Sequence, residues 1–570
     1  MRALSTLGAG VSGLGLLLVI ASSDASSASP RRIPAVPALR AFHTSAGRAP
    51  LLRPRGSAAT PVPCTTDATP SFVGITSGVH DFAGDASGVP SGFENIACDA
   101  DDGILSGESN AVGTDGTDGN ADWSSIGGGE NNDITAQYGF IGSGLTNSIS
   151  GAYSFIGSGD GGTASGVEAF VGAGISATAS GNDSFVGAGQ ENTASGNSSF
   201  VGAGTLVSAS GIASFLGAGG SEYRAKCGGC EGAGSLVAAA DAFLGAGDLN
   251  AISSAGAGSF LGAGGYAWAA DGNKTPSNQI AAEDSFLGAG DANTVSGALG
   301  FLGSGEYNTI ASTASYAAIA GGYSNTESAT DGFVGSGAFN SISSAGAYAT
   351  ILGGGNNTVS AEYASILGGY GSTASGSYAI VAGGNSDTAA GILSFAAGYH
   401  ADAAHNGSFV WSDYSSGSAM VKDTAANQFV VRASGGTTVY SNEAATSGVM
   451  LTPGSGSWAS LSDRNAKTDI VALDDDSILA KVAALPIDGW RYKSEKGVRH
   501  VGPMAQDFYA AFGTGVDNRH ITSIDEDGVA LAAIKALHRE IGELKDKNAS
   551  LQSELTALAA RIDGHATAKR

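Results

Sequence analysis

The sequence predicts a mainly β protein: a parallel β-roll or β-solenoid fibre of coils about 15 residues long, then a small α+β domain ending in a trimeric coiled coil. Three observations predict this fold class. Glycine supplies 90 of the 570 residues, about twice its usual share of ~7%. A short apolar motif recurs at a fixed period along the middle of the chain, and the last segment carries apolar heptads. The glycines follow no three-residue period and there are only 13 prolines, which excludes collagen.

The charge balance limits the partners that the chain can have. It contains 27 basic and 52 acidic residues, a net charge of −25. Phosphate backbones are bound by clustered lysine and arginine, so we expect no nucleic acid partner. Only Arg224, Lys226 and Lys274 are basic between residues 56 and 420, whereas 17 basic residues lie beyond residue 420. Two kinds of sequence therefore meet between residues 420 and 460.

The first 28 residues are typical of a secretory signal peptide. Arg2 is followed by an apolar stretch at residues 7–21 and then by serine and alanine. This stretch is shorter than the about 20 residues that cross a bilayer, although an uncleaved anchor is the alternative. We expect a secreted or cell-surface protein with no stable membrane span.

Residues 29–63 are predicted to be a disordered linker, and residues 64–122 an N-terminal cap region. Six arginines and no acidic residue lie between Arg31 and Arg55, among several prolines. Such a stretch cannot bury a core, and attraction to a membrane surface is its less favoured use.

Four cysteines in an exported chain favour disulfides. Cys64 and Cys98 are candidates for one bridge, and Cys227 with Cys230 forms a CGGC sequence. A redox role for that sequence would need a strand-helix-strand context, which this glycine-rich neighbourhood lacks. Two cysteines cannot complete a structural zinc site of four ligands, so we expect no metal and no cofactor.

The repeat determines the fold of residues 123–404. Its unit is S-F-[VIL]-G-[AS]-G-x-x-N-T-A-S-G, which at about 15 residues suits one β-coil and is too short for a helical pair. Its aromatic position is occupied by Phe140, Phe155, Phe170, Phe185, Phe200 and Phe215, then by Phe286, Phe301 and Tyr316, and then by Phe333, Tyr348, Tyr363 and Tyr378.

Each coil is expected to contain two short strands separated by turns. Gly142, Gly144 and their equivalents would supply positive φ angles and close stacking. Adjacent apolar residues such as Phe185 and Val186 must point to opposite faces of a strand. A thin coil has one interior, so the second apolar face is expected to be covered by another chain.

Two interruptions of the repeat are candidates for recognition, because insertions in solenoids form loops on one face. The second, residues 266–284, holds the candidate glycan contacts Tyr266, Trp268 and Asp271. Its carboxylates Glu283 and Asp284 make hydrolysis of a polysaccharide an alternative. A plain solvated loop is the structural alternative to both.

Residues 405–457 are predicted to be a β connector, because runs such as 408–411 and 427–432 alternate with turn residues. The C-terminal segment, residues 529–564, is predicted to be a coiled coil. Its heptads place Ile534, Ile541, Asn548, Leu555 and Ile562 at position a, and Leu537, Leu544, Leu551 and Leu558 at position d. The a and d residue types favour two strands, whereas the solenoid favours three; we expect three, because fibre and coil must share one symmetry.

The remaining domain, residues 458–528, carries two ordered signals ahead of the coil. The first runs from Leu461 through Ser462 and Asp463 to Lys467, and the second from His500 to Asp507. Together with the coil they resemble the C-terminal intramolecular chaperone, auto-processing domain of phage tail spikes, endosialidases and related fibres. The repeats resemble the β-roll heads of trimeric autotransporter adhesins, for example at 199–202 and 194–196.

The resemblance implies a self-cleaving serine peptidase that acts once per chain. It implies that Ser462 is the nucleophile, Lys467 the general base and His500 a histidine associated with processing, with cleavage between Leu461 and Ser462. Asp507 stands where many relatives have glutamate. Five residues of separation place Ser462 and Lys467 on different faces of a helix or strand, so a turn or a neighbouring chain must bring them together.

The function expected from these observations is a homotrimeric fibre or adhesin-like structural protein whose C-terminal domain drives trimerisation and is then released. Its other expected partners are a surface glycan or a host-cell receptor. The alternative is a polysaccharide-binding or polysaccharide-degrading enzyme of the tail-spike kind. Membrane-tethered transcription factors with the same self-cleaving domain are disfavoured, because a basic DNA-binding domain and an internal membrane span are missing.

Overall fold

The computed structural model describes residues 74–75, 82–83, 87–113, 121–220, 234–265, 277–415 and 419–567. The predicted signal peptide and linker lie outside these residues. So do Cys64, Cys227, Cys230 and the three candidate glycan contacts, Tyr266, Trp268 and Asp271. The four-cysteine prediction can be followed only at Cys98, which is disulfide-bonded.

The middle of the chain is a parallel β-solenoid, which confirms the predicted fold class. Each coil contributes one short strand to each of two parallel sheets, and equivalent residues of successive coils pair directly, as Phe170 does with Phe185 and Thr178 with Thr193. We call the two sheets the Phe sheet and the Thr sheet after the residue that most often begins their strands.

The Phe sheet has 22 strands within the described residues. They are Gly74–Ile75, Gly88–Val89, Gly103–Ile104, Ser125–Ile126, Phe140–Ile141, Phe155–Ile156, Phe170–Val171, Phe185–Val186, Phe200–Gly204, Phe215–Gly219, Phe243–Leu244, Phe260–Leu261, Phe286–Leu287, Phe301–Leu302, Ala318–Ile319, Phe333–Val334, Thr350–Ile351, Ser365–Ile366, Ile380–Asn385, Phe395–Tyr399, Phe409–Ser412 and Phe429–Arg432.

The Thr sheet alternates with it along the chain. Its strands are Phe82–Ala83, Ile96–Ala97, Ala111–Val112, Asp133–Ile134, Ser148–Ile149, Thr163–Ala164, Thr178–Ala179, Thr193–Ala194, Ser208–Ala209, Leu236–Val237, Ala251–Ile252, Gln279–Ile280, Thr294–Val295, Thr309–Ile310, Thr326–Glu327, Ser341–Ile342, Thr358–Val359, Thr373–Ala374, Thr388–Ala389, Ala401–Ala403 and Val421–Lys422.

The core lies between the two sheets and is filled by the second residue of nearly every strand. Val186 and Ala194, from successive strands of the two sheets, are both fully buried. The first residue points outward, because side chains alternate along a strand. On the Phe sheet the outward rings stack on one another: the centroids of Phe185 and Phe200 are 4.7 Å apart with parallel planes. This is the spacing of adjacent strands.

Glycines at two turn positions allow coils to stack this closely. Gly144 has a φ of 126°, a backbone conformation that disfavours side chains. Gly142 is needed for a different reason: a Cβ there would lie 2.3 Å from the carbonyl oxygen of Gly157 in the next coil. The glycine content thus follows from both backbone conformation and close approach.

The stacking continues on both sides of the range 123–404 that the period predicts. Gly88 pairs with Gly103 in the Phe sheet, in the described part of the predicted cap region. The period is hidden there because glycine replaces phenylalanine. Past residue 404, the strands Phe409–Ser412 and Phe429–Arg432 pair in parallel, so the first part of the predicted connector also belongs to the solenoid.

The aromatic column of the repeat is not a single column. Phe301 pairs with Ala318, because two residues are inserted in this coil, and Tyr316 lies in the preceding turn with a φ of 58°. The assignment of Tyr316 to the phenylalanine position is therefore wrong. The same correction applies to Tyr348, Tyr363 and Tyr378, which lie at this turn position, whereas the strands there begin at Thr350, Ser365 and Ile380.

A column of fully buried asparagines runs beside the Thr sheet, and we call it the asparagine ladder. The Nδ2 of Asn308 donates to Asn293 Oδ1 at 3.1 Å and to the carbonyl of Gly322 at 2.8 Å, and its backbone N–H also donates to Asn293 Oδ1. The buried members are Asn95, Asn110, Asn132, Asn147, Asn192, Asn250, Asn278, Asn293, Asn308, Asn325, Asn340 and Asn357. The ladder supplies the partners that buried amides require.

The C-terminal region has a different architecture. A three-stranded antiparallel sheet is formed by Thr437–Tyr440, Gly448–Leu451 and Trp458–Ser460, and a two-stranded one by Asp488–Trp490 and His500–Gly502. A 3-10 turn spans Arg464–Ala466, and three helices follow: α1 (Asp475–Ala484), α2 (Ala505–Phe512) and α3 (Ser523–Thr567).

Candidate active site

The predicted scissile bond directly follows the three-stranded sheet. The backbone N–H of Leu461 donates to the carbonyl of Gly448 at 3.1 Å, which extends the pairing one residue past Trp458–Ser460. Leu461 itself is half exposed, and Ser462 is exposed. The bond between them is held at one end by the sheet and is accessible.

The 3-10 turn reverses the chain after Ser462. Asp463 caps it: its Oδ1 accepts a hydrogen bond from the backbone N–H of Asn465 at 2.9 Å. The backbone N–H of Lys467 donates to the carbonyl of Arg464 at 3.2 Å and closes the turn. Lys467 then leaves the turn in an extended conformation, with φ −120° and ψ 148°.

This turn brings Ser462 and Lys467 together within one chain. Lys467 Nζ donates to Ser462 Oγ at 2.5 Å. A lysine that has lost its proton can accept one from such a hydroxyl, which is the arrangement of a nucleophile with its general base. Both side chains are exposed in the single chain.

His500 lies on the two-stranded sheet and has other partners. Its Nε2 is 2.9 Å from Glu495 Oε2, and its ring stacks on Trp490 with centroids 4.7 Å apart. Tyr492 approaches the same ring edge-on at 5.6 Å. No hydrogen bond among the described residues joins His500 to Ser462 or Lys467. The pairing with Glu495 was not predicted from the sequence.

Helix α1 packs against the beginning of α3. Ala536 of α3 is fully buried, and Lys535 Nζ lies 2.6 Å from Asp475 Oδ2 at the first turn of α1. Arg539 forms an ion pair with Asp476 in the same turn. One face of α3, made of small residues, is thereby occupied within the chain.

The heptad residues of α3 lie on a stripe that this packing leaves open. Leu537 is 46% exposed and Leu551 57% exposed. The other apolar members are also exposed, and they are Ile534, Ile541, Leu544, Leu555, Leu558 and Ile562. Asn548 lies within the same stripe and is exposed. An exposed apolar stripe of this length on one helix favours association with other chains.

The structure describes both carboxylates that the sequence offers for polysaccharide hydrolysis, Glu283 and Asp284. Glu283 and Asp284 are exposed neighbours in a turn, and the backbone N–H of Asp284 donates to the carbonyl of Ala257.

A contact that was not predicted from the sequence joins a buried carboxylate to a partly exposed histidine near the end of the solenoid: Asp423 Oδ1 lies 3.0 Å from His405 Nδ1. Burial raises the pKa of Asp423, but the hydrogen bonds from His405, Ser408 and Ala404 outweigh it and lower the pKa to about 2.

Residues 462–517 match the family model described as the chaperone of endosialidase. No curated protein matches the chain. The chain thus combines a parallel β-solenoid with a C-terminal chaperone domain, as expected of a tail-spike or endosialidase-like fibre. In the part of the chain that the structure describes, a bilayer-spanning helix of sufficient length and apolarity is not found.

Proposed function

We propose that this chain, whose residues 462–517 match the chaperone of endosialidase, forms a homotrimeric fibre and that its C-terminal domain drives trimerisation and then releases itself by one self-cleavage. The observation that carries the proposal is the hydrogen bond between Lys467 Nζ and Ser462 Oγ. The family match begins at the same serine, which would be the first residue of the released fragment.

The cleavage proceeds in two steps. Lys467, in its neutral form, takes the proton of the Ser462 hydroxyl, and Oγ attacks the carbonyl carbon of Leu461. The bond from that carbon to the Ser462 nitrogen breaks, the nitrogen receives the proton as an amine, and an ester links Leu461 to Oγ. Water then hydrolyses the ester, which leaves a carboxylate on Leu461 and restores the hydroxyl. Each chain does this once, so the reaction is processing and not turnover.

Two apolar surfaces support a trimer. The first is the heptad stripe of α3, exposed in the single chain. The second is the row of outward rings on the Phe sheet, of which Phe140 is 41% and Phe301 45% exposed. Both surfaces extend along many turns or coils, as expected where copies of one chain associate in register.

The trimer also gives the chaperone a physical role. Parallel pairing between distant residues is slow to start, because the chain loses the entropy of loop closure before the stabilising contacts form. Three associated α3 helices would hold the chains together at the start of this process. Removing the chaperone afterwards leaves the fibre without the element that assembled it, and its persistence then depends on slow unfolding.

We place the fibre outside the cell, with a surface glycan or receptor as its partner. The signal-peptide pattern at residues 1–28 supports export. The disulfide at Cys98 supports an oxidising compartment.

The test is to express the full chain with Ser462→Ala and Lys467→Met variants and to measure fragment masses and oligomeric state. We expect the wild type to yield fragments ending at Leu461 and beginning at Ser462, and both variants to stay uncut while remaining trimeric. Ser460→Ala and Lys481→Met are the matched controls, since each removes the same group from an exposed position of the same region, and both should cut normally. A trimeric wild type that stays intact, or a Ser462→Ala chain that is cut, would contradict the proposal.

A further inference from the structure

The contact between the side chains of Ser462 and Lys467 depends on the 3-10 turn that lies between them in the chain. All the hydrogen bonds that define this turn are made by residues 463–467, and Lys467 contributes only its backbone N–H. A strand would place side chains five residues apart on opposite faces, and would separate them by about 16 Å at ~3.3 Å per residue. The observed 2.5 Å between Nζ and Oγ therefore requires the chain to reverse here.

Asp463 is the residue whose side chain holds this reversal. Its Oδ1 accepts from the backbone N–H of Asn465 at 2.9 Å and from Asn465 Nδ2 at 3.2 Å. Its own backbone carbonyl accepts from the N–H of Ala466 at 3.1 Å. Both side-chain bonds go to Asn465, and the hydrogen bonds of Asp463 reach neither the Ser462 hydroxyl nor the Lys467 amine.

We propose that Asp463 is a positioning residue for self-cleavage: by capping the 3-10 turn it sets the distance between the Ser462 hydroxyl and the Lys467 amine. The inference rests on the proposed function, since that reaction is what the distance serves. Asp463 takes no proton in the reaction and contacts no reacting atom. Asp463 contributes by raising the fraction of chains in which the Ser462 hydroxyl and the Lys467 amine lie within hydrogen-bonding distance.

This role predicts an ordered series of variants in the full chain. Asp463→Ala removes the cap and should slow cutting about threefold to thirtyfold, the population change expected when an N-cap is lost. Asp463→Asn retains an oxygen that caps equally well and should restore most of the rate. Asp474→Ala is the matched control: it removes an equivalent cap, bonded to Ser477 N at 3.2 Å, from α1, and should leave cutting unchanged.

The pH dependence of cutting separates positioning from charge. If Asp463 acts by position, the pH at half-maximal rate should be the same in wild type, Asp463→Ala and Asp463→Asn, and only the plateau should change. An Asp463→Asn chain that cuts as slowly as Asp463→Ala, or a shifted midpoint in both variants, would show that the carboxylate charge matters and would overturn the inference.

A second measurement does not need cleavage. In a Ser462→Cys chain, a nearby ammonium favours the reactive thiolate, so alkylation by iodoacetamide at fixed pH, followed by mass spectrometry of the uncut chain, reports the distance to Lys467. We expect alkylation to fall when Lys467→Met or Asp463→Ala is added, and to stay high with Asp463→Asn. If the wild type does not cut yet this series holds, the proposed function fails, and Asp463 is shown only to set the distance between residues 462 and 467. If the wild type cuts and Asp463→Ala changes neither rate nor alkylation, the inference fails alone.

Discussion

At the scale of single residues, the solenoid core accommodates the carboxyl group of Glu327 because the fold leaves space for it. Glu327 is fully buried and pairs in the Thr sheet with Ile310 and Ile342. Its Oε1 accepts from the N–H of Ala329 at 2.8 Å, and its Oε2 is buried without a partner among the described residues. A Cβ at Gly332 would lie 2.3 Å from Oε1, so this glycine makes room for the carboxyl group. Burial raises the pKa of Glu327 to about 8.

This carboxyl predicts a pH-dependent stability. Because the pKa in the folded chain lies above the ordinary glutamate value of 4.5, the folded chain holds the proton more tightly than the unfolded chain. The resulting stabilisation is complete below about pH 4.5 and is lost as the pH rises towards 8. At ~1.4 kcal/mol per pK unit, the loss amounts to at most a few kcal/mol. Thermal unfolding between pH 5 and pH 9 should show a steeper decline for wild type than for Glu327→Gln.

The control for this comparison is Glu306→Gln, which removes an exposed carboxylate from the same part of the solenoid and should follow the wild type. Asp102 and Asp387 are also buried, with pKa values raised to about 7 and about 6, so the Glu327→Gln variant should also lose some stability as the pH rises, but less than the wild type. Parallel curves for wild type and Glu327→Gln would mean that Glu327 is solvated.

The residues of the candidate active site can be proposed from the sequence, but the contacts between them cannot. The resemblance identifies Ser462, Lys467 and His500 as a set. Whether the first two meet depends on a 3-10 turn whose cap, Asp463, lies only two residues from its partner. The pairing of His500 with Glu495 depends on the hairpin geometry of the two-stranded sheet, which no spacing rule specifies.

At the scale of the elements, the coils are held by their paired strands and close-packed glycines, and many of them also by the asparagine ladder. The period and the strand positions are predictable, because apolar residues recur visibly. Two-residue insertions are not, because Tyr316 continues the spacing while Ala318 continues the strand pairing. The burial of the asparagines is also unexpected, since the side chain is polar, and only the stacked coil supplies its partners.

The ladder predicts a local loss of stability in Asn308→Ala. The change removes the acceptor of the Asn325 backbone N–H and of Asn325 Nδ2, and the side-chain donor to the carbonyl of Gly322. Each buried group left without a partner costs about 1–3 kcal/mol. We expect faster hydrogen exchange in the coils around residue 308, while distant coils keep their protection, since repeats contact only their neighbours.

Asn197→Ala is the matched control. Its amide is exposed and accepts only from the N–H of Asn182 at 3.1 Å, a bond that water replaces. Equal exchange rates in both variants would mean that the buried amides contribute no more than exposed ones.

At the scale of the whole molecule, assembly and processing are expected to be coupled. Ser462 and Lys467 are exposed in the single chain, whereas a lysine that acts as a general base needs desolvation. We expect neighbouring chains to supply that desolvation, brought together by the exposed heptad stripe of α3. Leu551→Asp places a carboxylate at a d position of that stripe, where three copies would repel one another. We expect the variant to be monomeric by light scattering and uncut by mass spectrometry, as fully as Ser462→Ala.

The matched control is Ser553→Asp, which adds the same charge two residues away at an exposed heptad position outside the a and d positions; it should be trimeric and cut. A monomeric Leu551→Asp chain that cuts at the wild-type rate would separate cleavage from assembly and place the desolvation of Lys467 within one chain. A trimeric Leu551→Asp chain would instead mean that the solenoid holds the chains together without the coil. Because the two failures differ in both oligomeric state and fragment mass, one pair of variants distinguishes them.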